Sequence, residues 1–361
     1  SLRACDTGSV YTAVETRMDR RTPVMVTVPC DAEALATSSE LPKSIFSEGE
    51  EMFDLEAHKA LIEQALTLGA QPGFSPQPPV LAYGLQLTRF NRVEGLSLGV
   101  QATQQFGRGY VADGTVRFGF ADREPNVELG MARTNLARTA RLGAYNRLVA
   151  ANDWGSPLSF GSSVSALLFG RDEGFYYRTS GIDLTLTEDQ GDLFSWRVFA
   201  ERQRAAAADN SWSLAKALGG TAFAPNIVAS EGTWTGAVLR MGRAYGRNPR
   251  GWRAFGDARI EGAAGETAYG RAALDATVSR TLGPARSTLP LASLTLSGGT
   301  SLGDVPVQRL WYLGGTHTVR GQPAGTSAGD AYWFGRFEVG QDIRFSRVAL
   351  FGDAGWAGSR D

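Results

Sequence analysis

From Leu81 onward the chain is built of segments about ten residues long in which apolar and polar side chains alternate with a period of two, and that pattern leaves few folds open. Leu96, Leu98, Val100 and Ala102 face one way, and Ser97, Gln101 and Thr103 face the other. Val116, Phe118 and Phe120 oppose Arg117, and Val127, Leu129 and Met131 oppose Glu128. Ile182, Leu184 and Leu186 oppose Asp183, Thr185 and Thr187, while Phe194, Trp196 and Val198 oppose Ser195, Arg197 and Glu201. The pattern continues through Trp252–Glu261, Arg271–Val278, Ser293–Ser297 and Trp333–Ile343. The polar faces carry charges of both signs in mid-strand, such as Arg253, Asp257 and Arg259, or Arg336, Glu338 and Asp342. The opposite faces are apolar, often small or aromatic, in nearly every strand. A soluble sheet with one wet face also alternates, but a sandwich must cover its apolar faces with a second sheet, and no blade-like repeat marks a propeller. A transmembrane barrel turns its apolar face to lipid and its polar face to a lumen, with strands of about 9–11 residues in hydrocarbon. The expected fold is therefore all-β: an antiparallel transmembrane β-barrel over residues 79–361. The 44 glycines, many inside these segments, suit a strongly bent sheet.

Residues 1–78 read differently, as a small mixed α+β region. Val24, Val26 and Val28 alternate in a short strand that can pair with Val10–Glu15 across Asp19-Arg20-Arg21. Met52, Leu55, Ile62 and Leu66 recur at helical spacing, predicting a helix over Phe53–Leu68 that ends at Gly69. The Pro- and Gly-dense stretch after it marks a linker or an extended plug-like segment. The two cysteines, Cys5 and Cys30, lie close together in sequence, as a disulfide closing one hairpin in an oxidising compartment requires; two unpaired buried thiols are the other reading. No secretory signal or helical membrane span is present, and the chain opens mid-stride at Ser1, as a fragment or processed product would. Three lysines against thirty-three arginines have two readings, the codon bias of a GC-rich genome or enclosed polar spaces that need planar, permanent cations. A formal net charge of −1 without a basic stripe argues against nucleic acid as a partner.

Between Arg141 and Gly174 the alternation lapses, and Tyr145–Ala151 and Ser162–Leu168 read as short helical turns. Gln203–Ala229 reads as a second long loop. Two long loops among short connections predict one elaborated rim, with Asp122–Pro125, Glu188–Gly191 and Gly262–Thr267 as turns on the other.

The stretch Leu310–Gln322, LWYLGGTHTVRGQ, must fold back sharply at Gly314 and Gly315 and place one cation, Arg320, in an enclosed space before the strand Ala331–Ile343. Gly314–Gln322 resembles the signature of the BamA/TamA bacterial surface-antigen superfamily of outer-membrane barrels, whose Val-Arg-Gly tip sits on a long loop folded into the lumen. Phe351-Gly-Asp-Ala-Gly355 resembles the same family's Phe-x-Asp-x-Gly strand motif, and Arg89–Gly99 resembles the first-strand motif of a subgroup with non-standard N-terminal domains. The resemblance runs over about residues 81–361. It implies that Val319, Arg320 and Gly321 form the tip, with Arg320 facing the lumen, Gly321 permitting the turn and Asp353 as the acidic neighbour on the wall beside Phe351 and Gly355. Two departures stand out. Gln322 occupies the position of the family's aromatic, and recognisable POTRA modules, which hand over client proteins, are absent. Family barrels also continue past the Phe-x-Asp-x-Gly strand, so the resemblance implies further C-terminal strands beyond Asp361.

The resemblance implies an outer-membrane protein that inserts or translocates polypeptides, with outer-membrane lipid and client polypeptides as partners. No cofactor or metal site and no catalytic residue is expected. A passive pore or lipid and small-solute conduit is one alternative, and an anchor or exporter for an upstream enzymatic domain is another; a soluble β-protein is a third. Gly325-Thr-Ser327-Ala-Gly329 matches a nucleophile elbow, but Gln322-Pro323 precedes it, a strand follows it, and no histidine comes after His317. Ser213-Leu-Ala-Lys216 matches S-x-x-K without its companion motifs. His317 reads as a proton sensor or, more simply, as a loop histidine in water. Glu48, Glu50 and Glu51 read as a solvated helix start rather than a calcium site.

Overall fold

The computed structural model describes residues 10–15, 24–31, 78–135, 137–188, 193–221, 223–246, 248, 251–282, 290–343 and 346–360. The chain divides into two compact units, Ser1–Ser75 and Pro76–Asp361. In the first, β1 (Val10–Glu15) pairs antiparallel with β2 (Val24–Pro29), Val10 opposite Pro29. Cys30 follows β2. Cys5, the Phe53–Leu68 segment and Glu48, Glu50 and Glu51 lie outside the described residues, and with Cys5 so does the pairing expected for it.

The second unit is one antiparallel sheet of fourteen strands. Its strands are β3 (Val80–Tyr83), β4 (Arg89–Asn91), β5 (Gly95–Gly107), β6 (Tyr110–Gly119), β7 (Pro125–Thr134), β8 (Arg138–Ala150), β9 (Tyr176–Glu188), β10 (Leu193–Ala205), β11 (Gly232–Tyr245), β12 (Trp252–Gly265), β13 (Tyr269–Thr281), β14 (Leu291–Gly303), β17 (Ala331–Ile343) and β18 (Ser346–Gly358). From β5 to β14 each strand pairs with its sequence neighbours, β14 pairs with β17 and β17 with β18, and β3 and β4 both pair with β5; β15 (Trp311–Leu313) and β16 (Ser327–Gly329) form a separate hairpin between β14 and β17. Among the described residues no helix is long and apolar enough to cross a membrane.

The period-two pattern has the effect that elementary physics demands. Val116, Leu274 and Leu296 stand on the outer face and are 53%, 57% and 55% exposed. Their strand neighbours Arg117, Asp275 and Ser297 turn inward, and Arg117 and Ser297 are buried. So are Glu201, Asp257, Glu261 and Arg271 on the same inner face. A sheet that exposes its aliphatic face and buries its charges is inside out for water and correct for lipid. Inward charges pair across the strands: Arg117 with Glu128 at 2.9 Å and Arg240 with Asp257 at 2.8 Å on neighbouring strands, and Arg141 of β8 with Asp113 of β6 at 2.8 Å across β7. Just outside the apolar belt, outward arginines lie over aromatic rings, Arg133 on Tyr110, Arg243 on Tyr245 and Arg280 on Trp252, at 5.1–5.3 Å. Rings at this depth are what a membrane interface selects.

Two expectations are corrected. Tyr145–Ala151 is not helical; its residues up to Ala150 belong to β8, paired with β9 from Arg138 opposite Glu188 to Ala150 opposite Tyr176. The alternation was hidden because Tyr145, an aromatic, faces inward, its hydroxyl donating to Glu201 at 2.6 Å. The assignment of turns to rims was also wrong in part. In an antiparallel meander, connections alternate between the two ends, so the turns 120–124 and 266–268 share a rim with the long connections 151–175, 206–231 and 304–330. Glu188 and Leu193, the facing ends of β9 and β10, lie at the opposite rim with 108–109.

The helix expected at Ser162–Leu168 is present as α1 (Phe160–Phe169), capped by Ser159, whose hydroxyl accepts from the Ser162 N–H, and ended by Gly170 in the left-handed region. Among the described residues the 206–231 connection contains a single short turn of helix, α2 (Leu214–Ala217).

Leu274 sits in mid-strand on the outer face. Leu274→Arg should cost about 2–4 kcal/mol of stability in a bilayer, measured by urea titration in lipid vesicles; an unchanged midpoint would place that face away from lipid.

Candidate functional site

The connection 304–330 does not leave the sheet; it turns into its concave face. A single 3-10 turn, Val307–Arg309, opens it. Gln308 is fully buried and bonds to Gln203 at 2.6 Å and to the Ser230 carbonyl at 2.9 Å. Arg309 reaches four strands at once: Tyr177 on β9 at 2.9 Å, Glu201 on β10 at 3.7 Å, Glu261 on β12 at 3.0 Å and Tyr269 on β13 at 3.2 Å. Burial works against the charge on Arg309, but Tyr177, Glu261, Tyr269 and Glu201 outweigh it and hold the guanidinium pKa well above its ordinary value.

Next, β15 buries Trp311 and Leu313 against Tyr332 and Phe334 of β17, and β16 pairs back onto it. Trp154, from the 151–175 connection, inserts into the same cluster, with ring centroids 4.9 Å from Tyr332 and 5.3 Å from Phe334. Its neighbour Asp153 bonds Arg259 at 2.7 Å and Arg271 at 2.6 Å. Arg271 lies over the Trp311 ring at 3.8 Å and Arg259 bonds Glu261 at 2.7 Å. Asp153, Arg271, Arg259, Glu261, Arg309, Glu201, Arg197 and Asp183 thus form one connected network crossing the interior, with four cations against four anions. Balance matters here, because an unpaired charge in such an enclosed space costs several kcal/mol.

The tip follows. Gly314 and Gly315 both have positive φ, 105° and 87°, and a Cβ on Gly314 would stand 2.0 Å from the Pro323 carbonyl oxygen, so the reversal needs glycine there. Thr318 closes the turn: its hydroxyl donates to the Gly314 carbonyl and accepts from the Gly314 N–H, both at 2.8 Å. Arg320 then meets the wall. Its guanidinium grips Asp353 with both forks, Nε at 2.8 Å and Nη2 at 2.9 Å, and bonds Glu338 through Nη1 at 2.8 Å. Its backbone N–H also donates to Asp353 at 2.9 Å, and its guanidinium lies 3.6 Å from the centroid of the Phe351 ring. The hydrogen bond to Asp353 is the main cause holding the Arg320 pKa above its ordinary value. Arg336, the cross-strand partner of Asp353, donates to the Thr318 carbonyl at 2.7 Å.

The two stretches singled out from sequence therefore meet in space. On β18, Phe351, Asp353 and Gly355 are two apart and share the inner face: the first stacks on Arg320 and the second chelates it. The third leaves room for the loop, since a Cβ on Gly355 would lie 3.0 Å from the Val319 methyl and 2.8 Å from the Phe334 Cβ. Gly321 has φ 87°, and Gln322 is exposed, with its carbonyl accepting from the Gly315 N–H at 2.8 Å. A second loop latches the tip from above. Glu173 accepts from the Thr316 N–H and hydroxyl, both at 2.9 Å, and Phe175 stacks on Tyr312 at 4.5 Å, whose phenol burial pushes up to about 12. Asp153, Trp154, Arg309, Glu338 and the Glu173 latch were missed as site residues. The signal for Arg309 was present: Glu201 and Glu261 sit in mid-strand on an inward face and require a cation.

Ser327 lies in β16 rather than on a strand-to-helix elbow, and Ser213 caps α2, accepting from the Lys216 N–H at 3.1 Å. His317 is exposed. Among the described residues no group of three His, Cys, Asp or Glu side chains could hold a metal ion.

An apolar outer face, aromatic and arginine pairs at its margin, and a charged, loop-filled inner face define an outer-membrane β-barrel. No protein-family model matches the chain, and no curated protein matches it. Among solved structures it is similar to CdiB from Acinetobacter baumannii, with 10% identity and a TM-score of 0.43 over 74% of this chain and 47% of that one. It is also similar to OmpTdeltaL8 (loop L8 deletion mutant of OmpT), an outer membrane protein of Vibrio cholerae, with 12% identity and a TM-score of 0.30 over 72% of this chain and 84% of that one. The chain spans about half the length of the CdiB chain it matches.

Arg320→Ala leaves the buried Asp353 with Arg336 alone and should cost about 2–3 kcal/mol, somewhat less than a fully orphaned buried charge. Arg320→Lys should restore little, because a point charge cannot replace the fork. Gly355→Val should expel Val319 and mimic Arg320→Ala. Heat-modified electrophoretic mobility and protease cutting within 304–330 read the effect; wild-type resistance in all three variants would remove the tip's anchoring role.

Proposed function

We propose that this barrel is of the BamA/TamA type and acts in inserting or translocating polypeptides at the outer membrane, with client polypeptides and outer-membrane lipid as partners. The observation that carries the reading is the junction of Val319-Arg320-Gly321 with Phe351, Asp353 and Gly355, because both motifs of the resemblance act there as two halves of one joint. The residues work by position, not by chemistry at a reacting atom. Arg320 fixes the loop to β17 and β18, Arg309 fixes its base to four strands, and the loop stiffens the wall from inside.

The opposite edge is weak by contrast. There β5 is paired only by two short pieces: β3 opposite Val100–Thr103 and β4 opposite Gly95–Ser97. Between them the 3-10 turn Leu85–Leu87 interrupts the ladder at Leu98 and Gly99. Every other interior pairing runs unbroken over most of its length, so lateral opening or local thinning of the bilayer costs least at this edge. A stiff wall with a weakly paired stretch beside β5 is what a lateral entry route for a polypeptide needs. The charge-balanced network and the aromatic cluster cross the interior, which speaks against a passive pore. In the N-terminal unit we propose that Cys5 and Cys30 are joined, consistent with an oxidising periplasm.

The test is reconstitution of the purified protein. Planar bilayers should give no steady conductance, and vesicles carrying the protein should speed the membrane insertion of an unfolded outer-membrane client. Steady single-channel currents with no effect on client insertion would replace this reading with a pore.

A further inference from the structure

The weak edge carries a feature that lateral opening does not use. Outside β4, helix α1 and the segment around Trp212 lean over the edge and enclose an apolar crevice of about 570 Å³. Leu85, Phe90, Leu96, Val164, Leu167 and Trp212 form its wall. Phe90 lies opposite Leu96 in the β4–β5 register, so it faces outward with the lipid belt, yet it is 8% exposed because α1 and Trp212 cover it. The Phe90 and Trp212 rings meet edge to face at 6.3 Å. The two hydroxyls in the wall are already satisfied within the protein. The Ser163 hydroxyl donates to the Ser159 carbonyl at 2.9 Å and accepts from the Phe90 N–H at 3.0 Å, and the Thr88 hydroxyl donates to the Gly84 carbonyl at 3.0 Å.

We infer that this crevice holds one acyl chain of a lipid from the surrounding bilayer. Three observations choose that occupant. The crevice is continuous with the lipid-facing belt, since Leu96 begins the outward row of Leu98 and Val100, and Leu98 faces Phe118 across the β5–β6 ladder. With the Ser163 and Thr88 hydroxyls satisfied and the rest of the wall mainly aliphatic and aromatic, the crevice suits a hydrocarbon. A β-strand is disfavoured, because the outward backbone donor at Phe90, which an added strand would need, is already capped by Ser163. An acyl chain seated there lies directly beside the break in the ladder at Leu98–Gly99.

The experiment has two arms. In the first, the detergent-purified protein is mixed with dioleoylphosphatidylglycerol and the bound lipid counted by native mass spectrometry, for wild type and for the crevice-filling variants Val164→Trp and Leu167→Trp. Wild type should keep one lipid at a detergent level that strips the rest, and the filled variants should lose it by about tenfold or more; equal retention overturns the inference. In the second, wild type and Trp212→Phe are reconstituted in vesicles with dibrominated acyl chains, which quench tryptophan on contact. The wild-type emission that Trp212→Phe lacks should be strongly quenched, and this arm decides even if the filled variants fail to fold. Absence of that quenching overturns the inference, as does quenching by a brominated free fatty acid in detergent but not by the brominated phospholipid.

Discussion

Everything in the Pro76–Asp361 unit follows from one constraint: hydrocarbon offers no hydrogen bonds. A chain that places its strands in lipid must satisfy every backbone group within the sheet and send every charged side chain to the inner side, where it must find a partner. The ladder from β5 to β18 meets the first demand, with registers of eight to thirteen residues between neighbours. The second demand explains the arginine-rich composition. Inside the sheet the planar guanidinium is used as a connector with several donors, as when Arg309 joins four strands and Arg320 joins a loop to two.

The interior network is therefore as much a consequence of the fold as the belt of leucines outside. A carboxylate on an inner face can be served by an adjacent strand, as Asp257 is by Arg240, or by a loop that comes in from the rim, as Glu261 is by Arg309. The first kind makes a wall; the second ties a plug to it. Both long inward connections use the second kind, and they also bond to each other through Glu173 and Thr316. The occupied lumen and the stiff wall are thus one structure rather than two.

How much of this was legible in the sequence depended on whether a residue obeyed the local period. Val116, Phe118, Leu294 and Leu296 alternate with polar neighbours, so their strands and faces could be read directly. β8 could not, because inward Tyr145 beside outward Leu142 and Ala144 looks apolar on both faces; its orientation is fixed by Glu201, fifty-six positions away. The joint at Arg320 was visible as two motifs, but their meeting was a family expectation, since no local rule links a loop to a strand thirty-three positions later. Asp153 and Trp154 were not legible at all. Their partners lie on β12, β13 and β17, and only the curvature of the sheet brings these within reach.

The long separations within the plug have a bearing on how the molecule is made. Arg309 meets Tyr177 across 132 positions and Gln308 meets Gln203 across 105. Until the chain has been extended through β14, Glu201 and Glu261 lack their main interior cation, whereas the hairpins they sit in can already pair. Hairpins with local contacts form fast and distant contacts form late. The wall should thus assemble as a chain of quick hairpins that remains wet inside, and drying of the interior by the 304–330 loop becomes the slow, committing step of biogenesis.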